Sequence, residues 1–370
     1  MGLTIYILLL IFCIVNLTFL GRIWVEMGNL RTPVLKEVID LRVLEFEAYQ
    51  VKFNRSYSGR EYDLRLKNFK ASLSRIAKQN ALEGATVFGI TKFSDMSASE
   101  FAKTMRLGTE IQNCTDSRQD NCSEYGRKRT HSRYGKMVKG TADWSDVPKR
   151  IDWRDHKGFV GPIEVQKLCL GCWAFSIAGA METMLAIQKI GFRQLSIQEI
   201  LDCSEVNKGC FGGNVASALD YLCYSRLGIV DRNRYPLDFI DKGCQEYRLK
   251  NVDGVRIKSF NHVCNMLEHE MVRLIAQGPL VVIVNPEPWQ NYLGGIIWRA
   301  CVPYIAGHGY SHAVQVVGYD MSGPVPFYIV KNSWGSDFGE DGYLRLAIDH
   351  NVCGIADDVS VLKVEPPKLN

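Results

Sequence analysis

An apolar, helix-patterned run opens on a cysteine in Gln166-Lys167-Leu168-Cys169-Leu170-Gly171-Cys172-Trp173-Ala174-Phe175-Ser176. At a helix start, unpaired backbone N–H groups and the helix dipole favour negative charge, so Cys172 is placed to be a thiolate nucleophile. A thiolate attacking a carbonyl needs a base that holds it ionised and later protonates the leaving amine. It also needs donors aimed at the oxyanion that forms. Gln166, six residues upstream, offers an amide donor beside the Cys172 backbone N–H. His312, in Ser311-His312-Ala313-Val314, is the candidate base. Asn332, in Lys331-Asn332-Ser333-Trp334-Gly335, is its candidate orienting group, with an aromatic beside it as a shield.

Two kinds of element must position these groups. Helical patterns run over 172–190 and 214–225. Short β-branched runs bounded by Gly and Pro follow at 280–284, 313–319, 328–330 and 343–348, which are strand signals. A helical half followed by a β-rich half reads as α+β. Ahead of them, 35–80 reads as helical, with Arg65, Phe69, Ser72, Ile76 and Asn80 on one face. Residues 108–146 are polar and basic, with Arg127-Lys128-Arg129 in the middle, and read as a linker open to proteolysis. A new domain begins near Val147-Pro148. The boundaries expected are therefore 1–21, 22–146 and 147–370.

The composition, 46% hydrophobic and 23% charged over 370 residues, excludes disordered, collagen-like and coiled-coil chains. A net charge of +4 does not argue for nucleic acid. No Gly-rich phosphate loop and no paired metal-ligand spacing are present, so no cofactor or metal is expected. Residues 3–20 are apolar and uncharged, and read as a removed signal peptide; only if retained would the segment act as a membrane anchor. Twelve cysteines and sequons at Asn54, Asn113 and Asn121 fit a secretory, oxidising route.

Taken together, the Gln166 to Ser176 segment, Gly209-Cys210-Phe211-Gly212-Gly213, His312 and the Asn332 to Gly335 segment stand in the order of the papain family of cysteine proteases, and the chain resembles that family over about residues 40 to 365. Glu61, Arg65, Phe69, Ile76 and Asn80 (Ser72 departing), with Gly89-Ile90-Thr91-Lys92-Phe93-Ser94-Asp95, resemble the family's inhibitory propeptide. Gly278 to Val284, Trp289 to Ile297 and Asn351 to Asp357 narrow the likeness to one cathepsin branch. The resemblance implies a papain-like two-domain fold, helical and β-barrel-like, behind a helical inhibitory propeptide. It implies a lysosomal or secreted zymogen and monomer, whose partners are peptide or protein substrates, its own propeptide and cystatin-like inhibitors.

The same resemblance makes Cys172 the nucleophile, His312 the general base and acid, Asn332 the orienter and Gln166 the oxyanion donor. It places Gly213, Asn214, Val215, Ile283, Ala313 and Trp334 along the substrate cleft, with Asp358 at the floor of the specificity pocket. Leu170 is a departure that adds bulk where substrate backbone approaches. The implied disulfides are Cys169–Cys210, Cys203–Cys244 and Cys301–Cys353, with Cys172 free. Of the remainder, Cys114 and Cys122 are expected to pair with each other and Cys223 to be buried and reduced; nothing in the sequence brings Cys223 to Cys264. Two rival readings remain. Cys169-Leu170-Gly171-Cys172 is a C-x-x-C of the kind thiol oxidoreductases place at a helix start, but that reading leaves Gln166, His312 and Asn332 without a task. The other rival is an inactive binding protein on the same scaffold.

Overall fold

The computed structural model describes residues 40–105, 107, 114, 117–119, 122, 146–224, 228–245, 253–301 and 311–367. The expected signal segment and the sequons at Asn113 and Asn121 lie outside them; Asn54 is exposed. Among the described residues no helix is long and apolar enough to cross a membrane. The chain divides into two units at Ser56.

The first unit contributes α1 (Leu41–Lys52), whose start is capped by the Asp40 carboxylate accepting from the Arg42 N–H. The single helical stretch read from the sequence is in fact two helices. After Lys52 the chain turns through Asn54, at φ 50°, and re-enters a helix only at Gly59. Asn tolerates the left-handed conformation that stops a helix, and the 3.6-residue pattern alone does not register it.

In the second unit α2 (Gly59–Glu83) carries the whole Glu61 to Asn80 pattern. Phe69 and Ser72 are buried on its inner face, and Gly84, at φ 69°, closes it in the left-handed conformation usual for a helix end. The chain then reverses, because Asn80 binds both sides of the return. Its Oδ1 accepts from the Val87 and Phe88 N–H groups and its Nδ2 donates to the Phe88 carbonyl. A short helix, α3 (Ala98–Thr104), follows behind a Ser97–Glu100 capping box.

The remainder is α+β, as expected. The helical half consists of α4 (Cys172–Ile187), α5 (Ile197–Cys203) and α6 (Val215–Tyr224). α4 is buried almost all round, from Trp173 to Ala186, which fits its continuous apolar sequence. The strands are β1 (Ser117–Gln119), β2 (Arg150–Asp152), β3 (Arg256–Cys264), β4 (Leu280–Val284), β5 (Ile296–Ile297), β6 (His312–Asp320), β7 (Phe327–Lys331), β8 (Tyr343–Ala347) and β9 (Asp358–Glu365). They form one sheet in the order β1-β3-β9-β4-β6-β7-β8-β5, with β2 paired to β6. The helix α7 (Glu268–Ile275) packs on β4 and β6.

Two cores result. One lies between α4, α5, α6 and one part of the sheet, and holds Trp173, Met181, Leu219, Phe260 and Val281. The other lies in the β half, around Trp289, Tyr292, Tyr328 and Leu346. Val87, Phe88, Phe93 and Phe101 of the front segment join this second core, so the front segment is packed into the body as well as laid on it.

Polar contacts reinforce the packing. Gln290 Nε2 donates to the Phe93 and Met96 carbonyls, and Asn291 accepts from Arg75. The Glu83 carboxylate accepts from three successive backbone N–H groups, Trp298, Arg299 and Ala300, at 2.8–3.1 Å. Hydrogen bonds to a charged acceptor contribute about 1.5–3 kcal/mol. Glu83→Ala in the full-length chain is therefore expected to speed acid-triggered activation roughly 10- to 150-fold, measured as the onset of peptide turnover. An unchanged onset would show that Glu83 does not hold the front segment in place.

Three disulfides follow the family pairing: Cys169–Cys210, Cys203–Cys244 and Cys301–Cys353. The other four cysteines do not follow the expectation. Cys114 joins Cys264, and Cys122 joins Cys223. Between Cys114 and Cys122 runs β1, antiparallel to β3. Docking of β1 on β3 carries Cys114 to Cys264, at the end of β3, and Cys122 to Cys223 of α6. Each instead reaches a partner on the body, and Cys223 is oxidised rather than free.

Candidate active site

Cys172 begins α4 at the edge of the cleft and is the one free cysteine among the described residues. Gly171 precedes it, packed so closely that a Cβ there would lie 2.9 Å from Cys169 Sγ. The Cys169–Cys210 bridge and the Leu170 N–H donating to the Cys210 carbonyl fix the approach to the helix.

The opposite wall is β6, which begins at His312, with Asn332 just past the end of β7. The pairing of β6 with β7 brings together two residues twenty apart in sequence. His312 Nε2 and Asn332 Oδ1 are 2.8 Å apart, which assigns the ring proton to Nε2 as donor. Nδ1 then keeps its lone pair, and it has no hydrogen-bond partner among the described residues. Trp334 stacks on the imidazole at 4.9 Å and Trp289 meets it edge-on at 6.1 Å. Both rings keep water from the His312–Asn332 bond.

Gln166 is held by its own neighbours. Its N–H donates to the Ser333 carbonyl, and its Oε1 accepts from Ser333 Oγ at 2.7 Å. This leaves Nε2 as the outward donor. It donates to the Cys169 carbonyl at 3.0 Å and, more importantly, to the Met105 carbonyl at 3.3 Å. The amide that would receive an oxyanion is thus occupied by a main-chain carbonyl of the front segment.

A cavity of about 280 Å³ remains, lined by Cys172, His312, Leu170, Gly213, Ile283 and Ala313, with Leu107 of the front segment among its walls. Gly213 could carry no side chain here, because a Cβ would stand 2.5 Å from the Trp173 ring. The other expected cleft residues do not line this cavity. The Asn214 side chain accepts from the Ser217 N–H and caps α6, while Val215 is buried in the helical core. Trp334 covers His312. The Asp358 carboxylate faces His262 Nδ1 at 3.6 Å, at the Cys264↔Asp358 end of the β3–β9 pair.

The electrostatics differ from the sequence expectation. Burial pushes the Cys172 thiol up, outweighing the lowering effect of nearby backbone N–H groups. Burial likewise lowers His312 to about 4, against the raising effect of Asn332. Desolvation disfavours both charged forms and so favours the neutral pair. Sequence alone registers the helix start but not the cover. Below the site Glu182, on α4, is pushed up to about 7 by burial, with Lys331 acting against the shift. Lys331, one residue before Asn332, is itself lowered by burial.

Sequence reasoning missed several residues of this arrangement. Ser333 and Trp289 support the site, and Met105 and Leu107 cover it. Ser333 and Trp289 sit inside quoted motifs, but their contacts depend on the sheet. Met105 and Leu107 carry no sequence signal for their place in the cleft.

Residues 147–362 match the papain family cysteine protease model, and residues 46–101 match the cathepsin propeptide inhibitor domain (I29). The chain belongs to the papain family of cysteine proteases and is built as a zymogen with a cathepsin propeptide. Among its curated relatives, cathepsin O of Mus musculus is 42% identical over 220 residues, covering 59% of this chain and 69% of that one. Cathepsin O of Homo sapiens is 37% identical over 302 residues, covering 80% and 87%. Among solved structures, recombinant stem bromelain precursor superposes with a TM-score of 0.67 at 28% identity, covering 88% of this chain and 100% of that one. Digestive procathepsin L 3 of Tenebrio molitor larval midgut gives 0.65 at 27%, covering 88% and 99%.

Proposed function

We propose that the protein is an endopeptidase in which Cys172, His312, Asn332 and Gln166 hydrolyse peptide bonds through an acyl-thioester, working in the lysosome or after secretion. Cys172 passes its thiol proton to His312 Nδ1, and Sγ, as thiolate, attacks the peptide carbonyl carbon while Gln166 Nε2 and the Cys172 N–H stabilise the oxyanion. His312, oriented by Asn332, gives its proton to the leaving amine as the C–N bond breaks. It then takes a proton from water, which attacks the thioester and frees Cys172. Residues 22–146 hold the enzyme inactive until they are displaced and cut. The observation that carries this reading is the Met105 carbonyl on Gln166 Nε2, at 3.3 Å, with Leu107, two residues on, in the cleft that Cys172 and His312 line. It is the place where a substrate carbonyl would be polarised. The oxidoreductase rival is disfavoured, because Cys169 is bonded to Cys210 and not to Cys172.

Acid should open the cover. Burial raises Glu100, but hydrogen bonds from Ser97 and Asn68 and the charge of Arg65 outweigh it and hold its carboxyl below the ordinary 4.5. A depressed carboxyl stabilises the folded cover at pH values above 4.5, and this contribution is lost as pH falls through the lowered value. An active-site-directed epoxide is therefore expected to label Cys172 of the full-length chain slowly at neutral pH and faster as pH falls below about 4.5. The enzyme cut and freed of its front segment is the reference at each pH. Equal labelling of both forms at all pH values, or labelling of another residue, would overturn the reading.

A further inference from the structure

We infer that cutting the basic linker does not by itself free the enzyme: the processed protein is a covalent two-chain species, and release of the front chain takes thiol–disulfide exchange at Cys114–Cys264 and Cys122–Cys223. The latency of this species rests on the inhibitory role proposed for the front segment. The two bridges come from a stretch that sequence reading treats only as linker. Both Cys114 and Cys122 precede Arg127-Lys128-Arg129, and both partners lie beyond Val147, in the peptidase domain. A cut at the basic triplet therefore leaves everything before it bonded to the body.

The segment is built into the body. β1 adds an edge strand to the sheet, with Ser117, Arg118 and Gln119 opposite His262, Asn261 and Phe260. Cys122 adds a backbone hydrogen bond from its N–H to the Lys258 carbonyl at 2.9 Å, and its side chain lies in the helical core. The bridges close loops of 150 and 101 residues in the uncut chain. After cutting they become interchain bonds, and a tethered inhibitor acts at an effective concentration of about millimolar.

The two bridges differ in access. Cys122 and Cys223 are buried, whereas Cys114 and Cys264 are only partly covered. Cys114 Sγ lies 3.5 Å from Nε2 of His262, whose Nδ1 is 2.8 Å from Ser360 Oγ and 3.6 Å from the Asp358 carboxylate. An imidazole at that sulfur can protonate Cys114 as it leaves. In the exchange a small thiol, as thiolate, attacks Cys264 Sγ and the Cys114–Cys264 bond breaks. Cys114 leaves with the electron pair and takes a proton through His262. A second thiol then resolves the mixed disulfide. Two small thiols are oxidised to one disulfide and the protein bridge is reduced to two thiols. Cys122–Cys223 follows by the same steps once β1 lifts.

The test uses the full-length chain, cut in the linker by a Lys/Arg-specific protease with no thiol present. The wild type is expected to remain one covalent species by mass and by non-reducing electrophoresis, and to separate into two chains on reduction. Peptide mapping should recover Cys114 with Cys264 and Cys122 with Cys223. Mild glutathione should open Cys114–Cys264 first. In the fourfold variant Cys114→Ser, Cys122→Ser, Cys223→Ser, Cys264→Ser the cut chains should separate without reductant. Diluting the cut proteins should raise the variant's activity per mole about 10²- to 10⁴-fold above that of the wild type, the scale of a lost tether. Fragments that separate from wild type without a thiol would overturn the inference, and this mapping needs no variant to fold. Full activity in a cut but still linked wild type would instead refute the front segment as inhibitor, leaving the linkage standing.

Discussion

Cys172→Ala is expected to lower kcat/KM on a peptide substrate about 10⁶-fold, the scale seen when a nucleophile acting as part of a unit is removed. No other described residue can take its place, because every other described cysteine is in a disulfide. The fold should survive. Cys172 is half-buried and packs on the edge of the helical core, and removing one sulfur atom there should cost about 1 kcal/mol. For a domain of this size that is a Tm shift of about 2–4 °C at most. Turnover and calorimetry on the same sample separate the two effects. Substantial hydrolysis by the variant would end the nucleophile assignment.

His312→Ala is expected to cost about 10⁴- to 10⁶-fold, because it removes both the base and the acid of the reaction. Asn332→Ala should cost less, about 10²-fold, the scale of a misplaced catalytic group. In that variant the imidazole remains but loses the 2.8 Å acceptor at Nε2. The two also differ in their pH response. Asn332 raises the His312 pKa, so its removal should lower the acid–base midpoint of the profile, whereas His312→Ala should abolish that limb. Equal losses in the two variants, with no change of profile, would argue that Asn332 is only part of the packing.

The site was more legible in the sequence than the cover. Cys172, Gln166, His312 and Asn332 could be found because each sits in a motif whose chemistry depends on residue type. The strands that join His312 to Asn332 announced themselves as short β-branched runs. The helix over 172–187 is readable for the same reason: its apolar residues are continuous. The break at Asn54 was hidden, since one left-handed residue leaves the pattern of its flanks intact. The four outer cysteines were misjudged because local spacing says nothing about an edge strand that docks on β3, some 140 residues away. Asn214 and Val215 were placed in the cleft by counting from the double glycine. The chain uses the first as a helix cap and the second as core.

The buried Glu182 gives the body an opposite response to acid from that of its cover. Its carboxyl is raised to about 7, against 4.5 when exposed, so the folded state binds a proton more readily than the unfolded state between those values. Stability from this group therefore grows as pH falls from about 7 towards 4.5 and diminishes as pH rises. The cover is lost in the lower part of the acid range, through Glu100, after the body has already gained firmness through Glu182. Glu182 sits on the helix of Cys172, beside the lysine that precedes Asn332. On acidification the body therefore gains stability from Glu182 before the cover loses it through Glu100.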